Sequence, residues 1–168
     1  KTLMIIGILL LILALPFSSM VMETMTAQTD PVKEVREGDV IFQTSQSQQS
    51  PLIQIATRSK ISHCGIIVMK DGEPYVLETL KTLVITPLDK FIAHGKGGRY
   101  WLKRSNIENI KIKYDSYLGK PYDLAFKFDN DKFYCSELIY DIYKNQLGIE
   151  LCEPKKVSDY LILGTDKL

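Results

Sequence analysis

A chain of 168 residues, 45% hydrophobic and 24% charged, can bury one good core and is too short for two ordinary ones, so a single domain is expected. Its 21 basic and 20 acidic residues leave a formal charge of +1, which gives no electrostatic ground for binding nucleic acid; the cluster Lys96, Arg99, Lys103 and Arg104 reads as a solvated face. Three cysteines are too few for a disulfide scaffold and leave at least one thiol unpaired.

Residues 3–17 (LMIIGILLLILALPF) form an unbroken apolar run behind Lys1. At about 15 residues the run is shorter than the ~20 a helix needs to cross a bilayer, and it has the length of a signal-peptide core, followed by Pro16, Ser18 and Ser19. Residues 1–27 therefore read as a signal peptide with an open cleavage point, 28–37 as a flexible polar lead-in and 38–168 as the folded domain. Export to the periplasm or cell envelope is expected, with membrane contact only through this segment. No cysteine lies just after the run, so lipid modification there is not available.

In chain order, DVIFQ (39–43) reads as a strand and the Gln/Ser-rich stretch after it as a loop. Ser50 as N-cap and Pro51 in the first turn start a short helix to about Arg58, with Leu52, Ile55 and Ala56 as its apolar stripe. ISHCGIIVM (61–69) and PYVLETL (74–80) flank Asp71-Gly72, a strong hairpin signal, and pair antiparallel. LVIT (83–86) is a further strand ended by Pro87, a short helix closes at His94-Gly95, and GRYWLKR (98–104) is a strand. The stretch 105–121 predicts a helix, with a capping box from Ser105 and Glu108, a shared face of Ile107, Ile110, Tyr114, Tyr117 and Leu118, and a stop at Gly119 and Pro121. The last helix runs through FYCSELIYDIY to about Leu147, with Gly148 as its stop. Strands and short helices first, long helices last, predict an α+β fold with a small antiparallel sheet.

Cys135 shares the last helix's buried stripe with Leu138, Ile139 and Ile142. In a first turn capped by Asn130 or Asp131, its sulfur meets the positive end of the helix dipole, which favours thiolate. A cysteine there is compatible with a small core residue, half of a disulfide, a metal ligand or a nucleophile. Of the two histidines, His94 fits a helix C-terminus. His63 alternates with Ile61, Gly65 and Ile67, while Ser62, Cys64 and Ile66 take the other face. Glu78 shares an apolar face on the partner strand, where a carboxylate needs a donor, and His63 is a natural one. Metal ligation lacks its spacing, since His63 and Cys64 point to opposite faces and no C-x-x-C or H-x-x-x-H pair exists. Cys64 and Cys152 are free to pair with each other. No Gly-rich phosphate loop and no G-x-S-x-G elbow occurs.

These segments, in order EGDVIFQTSQSQQSPLIQIATRSKISHCGIIV, PYVLETL and YLGKPYDLAFKFDNDKFYCSELIYDIY, resemble the YiiX-like family of permuted papain-fold cysteine amidases, relatives of the NlpC/P60 peptidases. The resemblance covers residues 36 to about 150. It implies a circularly permuted papain-like fold, a small antiparallel sheet or partial barrel packed against helices. It further implies Cys135 as nucleophile, His63 as general base, Glu78 as third member, and Tyr122 in the P-Y-D turn as a substrate-pocket residue. The expected substrate is a peptide or amino-acid amide, cell-wall derived, and no cofactor or metal is needed. A lipid acyl hydrolase or acyltransferase, or a non-catalytic binding module, are the other readings. The sequence departs from the family at Cys64, where threonine is expected, a change read as one of packing.

Overall fold

The computed structural model describes residues 35–128 and 130–154, so the expected signal peptide and most of the lead-in lie outside the described residues. Five strands, β1 (Val40–Ser45), β2 (His63–Lys70), β3 (Glu73–Thr79), β4 (Leu83–Pro87) and β5 (Gly95–Lys103), form one antiparallel sheet in the order β4-β3-β2-β1-β5, which does not close into a barrel. Three helices accompany it: α1 (Ser50–Thr57), α2 (Leu88–His94) and α3 (Cys135–Leu147). The architecture is the expected α+β arrangement.

Alternation along the central strands divides the core in two. Phe42, Cys64, Ile66, Val68 and Leu77 face α3, where Leu138, Ile139 and Ile142 complete the larger cluster. Ile41, Ile67 and Val76 face the opposite way and are covered by Leu88 and Phe91 of α2. Each such aliphatic or aromatic side chain contributes about 1.5–3 kcal/mol by leaving water. No helix among the described residues is long and apolar enough to cross a membrane.

The β2–β3 hairpin forms as expected, its turn carried by Asp71 (φ 52°) and Gly72 (φ 84°) in the left-handed region that a two-residue type I′ loop requires. Gly65 serves another purpose. A Cβ there would lie 2.3 Å from Val76 Cγ1 and 2.9 Å from the Leu77 carbonyl oxygen, so only hydrogen fits where β3 brings Glu78 alongside. Gly65→Ala is expected to cost about 1–3 kcal/mol by overpacking, and a thermal melt lowered by several degrees checks it.

Three expectations are corrected. Residues 105–121 are not helical. Ile110 and Ile112 are buried with exposed Lys111 between them, a period of two, and the backbone bonds go to distant side chains. Ile112 N–H donates to Glu37 Oε1, and Lys113 exchanges bonds with the Gln146 amide through both its N–H and its carbonyl. Ser105 Oγ accepts from Ile107 N–H, at 3.4 Å, so the supposed cap is a local turn.

The second correction is α1, where Gln49 takes the N-cap and Ser50 lies inside the helix, its Oγ 2.6 Å from Ser62 Oγ. The predicted stripe faces water, with Leu52 70% and Ile55 75% exposed. Third, α3 is capped by Tyr134, not Asn130 or Asp131. Tyr134 N–H donates to Glu137 Oε2, while Asn130 is turned back on Asp123. The helix ends at Gly148 as expected, in the left-handed conformation.

The basic cluster is also not wholly solvated. Arg104 makes a two-pronged bond at 2.7 Å to the buried carboxylate of Asp39, which fixes the start of β1. Val35 packs on the α2-side core, and Glu37 holds Ile112 and Lys111, so the chain is already anchored ahead of residue 38.

Candidate active site

Cys135 is the first residue of α3, whose initial N–H groups have no partner within the helix. Packing of Leu138, Ile139 and Ile142 against β2 and β3 drives that end of the helix onto the start of β2, where His63 stands. The imidazole stacks on Phe91 of α2, ring centroids 5.8 Å apart, and its Nε2 lies 2.6 Å from Glu78 Oε2. With Nε2 on Glu78, Nδ1 is the ring nitrogen available to the Cys135 sulfur, to which His63 is hydrogen-bonded. Glu78 is 1% exposed and its Oε1 has no hydrogen-bond partner among the described residues, so the carboxylate is held through Oε2 and His63.

The proton sits on the nitrogen side of this contact. Burial works against an imidazolium, but hydrogen bonds and charge from Cys135 and Glu78 outweigh it and raise His63 to about 10. Cys135 moves the other way, well below the ordinary thiol value: the Cys64 thiol hydrogen-bonded to its sulfur lowers it most, burial opposes, and the bond and charge of His63 lower it further. Both shifts favour a thiolate beside an imidazolium, with the ring held by Glu78. That arrangement is what nucleophilic attack followed by proton return to a leaving group requires.

A cleft of about 510 Å³ opens with Gln43, His63, Glu78, Thr79 and Tyr122 on its wall; Cys135, 6% exposed, is not on that wall and is linked to it through His63. Tyr122 stands where the resemblance puts a pocket residue, and its phenol is pushed up by burial and by the neighbouring Cys135 charge, so it stays protonated. A larger cleft, about 620 Å³ around Asp39, Arg104 and residues 105–110, has neither cysteine nor histidine on its wall.

Three residues at the site were not expected there. Gln43 pairs with His63 across β1 and β2, is 1% exposed, and leaves Oε1 unpartnered among the described residues. Its place two residues after Ile41 on an alternating strand is the signal that could have found it. His94 does end α2 as expected, and it also borders the cleft. Cys64 is not joined to Cys152, since none of the three cysteines forms a disulfide; it contacts Cys135 instead.

A family model described as permuted papain-like amidase enzyme, YaeF/YiiX, C92 family, matches residues 34–166. The chain belongs to this family. Among YaeF/YiiX relatives, the uncharacterized protein YiiX of Escherichia coli strain K12 is 38% identical over 130 residues, which is 73% of this chain and 64% of the relative, so the match spans a little under two thirds of that protein. A crystal structure of YiiX from Escherichia coli O157:H7 is 41% identical, with a TM-score of 0.62 over 70% of this chain and 69% of that one.

That YiiX structure is described as a metalloprotein. The described residues of this chain do not fit such a role, because they contain no group of three or more His, Cys, Asp or Glu that could hold a metal ion. His63 commits one ring nitrogen to Glu78.

Proposed function

We propose that the chain is an exported cysteine amidase that cleaves an amide bond in a cell-wall peptide or an amino-acid amide. The observation that carries this reading is the buried Cys135–His63–Glu78 constellation, which holds a thiolate ready at a helix N-terminus. Cys135 Sγ attacks the carbonyl carbon, and the carbonyl electron pair moves to oxygen, where the Cys135 backbone N–H at the head of α3 donates to it. Collapse expels the amine, which takes the His63 proton, and leaves a thioester. Water then attacks the thioester with His63 as base, releasing the acid and restoring the thiolate. Glu78 holds the ring and its charge throughout, Tyr122 lines the substrate side, and the scheme calls for no cofactor. The sequence resemblance, which extends to the NlpC/P60 peptidases, and the apolar run at residues 3–17 support a substrate in the cell envelope.

Turnover of short peptides, amino-acid amides, peptidoglycan fragments and phospholipids by the purified chain tests the proposal. Hydrolysis of an amide is the expected result, and turnover of phospholipid alone would overturn it. One observation favours that second reading, a lipid acyl hydrolase or acyltransferase: Gln49 and Ile53 of α1 border the cleft while Leu52 and Ile55 of the same helix stand exposed. Leu80, 45% exposed, borders it from the end of β3. A binding module without chemistry is separated from both by iodoacetamide, which would then label Cys135 no faster near neutral pH than an ordinary thiol.

A further inference from the structure

The nucleophile has a second sulfur against it. The alternation that turns His63 toward Phe91 turns the next residue, Cys64, toward α3, into the same buried cluster as Cys135. Cys64 is fully buried beside Phe42, its partner across β1 and β2, and both its thiol and its backbone N–H are hydrogen-bonded to the Cys135 sulfur.

We propose that Cys64 is a positioning residue for the Cys135 nucleophile, donating its S–H and its backbone N–H to the thiolate from the sheet while His63 donates from the strand end. This rests on Cys135 being the nucleophile. Two buried thiols in contact share one question, which of them ionises, and the surroundings answer it. Burial pushes Cys64 up, and the adjoining Cys135 and Glu78 charges push it further, so it keeps its proton. Cys135 has the imidazolium and the helix terminus, so it gives its proton up. The kept proton then becomes a donor that fixes where the sulfur lone pairs point. Without it, one face of a buried anion loses a partner, which raises the cost of the charged form.

The test measures iodoacetamide labelling of the Cys135 peptide by mass spectrometry across a pH series, in the full chain and in Cys64→Thr and Cys64→Val. These two variants share a shape and differ by one hydroxyl. The other ionisable groups around the sulfur stay in place: His63 with Glu78 from β2 and β3, Tyr122 and Tyr134 from the segment before α3, and Glu137 in its first turn. Cys64→Thr is expected to label within about twofold of the parent. In Cys64→Val the labelling midpoint is expected to rise by about one pH unit, with labelling below the midpoint about tenfold slower. If the branched pair does not fold beside Phe42, Cys64→Ser and Cys64→Ala repeat the comparison. A Val or Ala profile that overlays the parent's in a folded protein overturns the inference, as does an equal shift in donor and non-donor variants, which would make Cys64 a packing residue. The two levels separate cleanly: a parent Cys135 that titrates as an ordinary thiol sinks the hydrolase reading and this inference together, whereas a low-titrating parent with an unmoved Cys64→Val sinks this inference alone.

Discussion

Cys135→Ala is expected to reduce amide turnover by on the order of 10⁴-fold or more while leaving the fold intact. The size follows from the role. Without the sulfur no thioester forms, and what remains is the acceleration from bound substrate and an oxyanion donor. The fold survives because the lost group is small and because it is a buried anion, whose removal spares a desolvation cost. His63 and Glu78 still neutralise each other at 2.6 Å, and α3 remains seated through Leu138, Ile139 and Ile142. Turnover and a thermal melt on the same preparation check both halves. Lost activity with a collapsed melt would make Cys135 a core residue, and retained activity would remove it from the chemistry.

The sheet was legible in the sequence because each strand carries its own evidence. Alternation in residues 61–69 and 74–80, with Asp71-Gly72 between them, specifies a hairpin whatever surrounds it, and the burial of Glu78 follows from the same register. Residues 105–121 were not legible. The spacing of Ile107, Ile110, Tyr114 and Tyr117 suits a helix, but the groups that decide against one, Glu37 and Gln146, lie far away in the chain. Periodicity likewise announces that α1 is two-faced without saying which face meets the core, and Leu52 and Ile55 turned out to face water.

The candidate site shows the same division. His63 and Glu78 could be placed together from one hairpin. The position of Cys64 against the nucleophile required knowing which side of β2 the helix α3 would cover, and that is a property of tertiary packing. Alternation alone had already set Cys64 apart from His63. What it could not supply was the sulfur waiting on that side.

Glu78→Gln, which keeps shape and removes charge, is expected to lower turnover by about 10³-fold and to narrow the active pH range from both ends. In the parent chain the thiolate–imidazolium pair persists from the lowered Cys135 value up to the His63 value of about 10. Without the anion on Nε2, Cys135 alone holds the His63 pKa up, so it falls below its parent value and the alkaline limb descends with it. The weaker imidazolium also supports the thiolate less, so the acid limb rises. Stability follows the same linkage. A histidine whose pKa is raised by folding contributes fully below its unfolded value of about 6.5, and that contribution is lost as pH climbs through the folded value. Above about 10 the parent chain holds Glu78 as a buried anion against a neutral ring, with Oε1 lacking a partner among the described residues, so its advantage over Glu78→Gln should vanish there. Urea midpoints of both chains at pH 6, 8 and 10, read beside the labelling profile of Cys135, measure the two effects independently. Parallel midpoints and an unmoved alkaline limb would mean that Glu78 positions the ring without setting its charge.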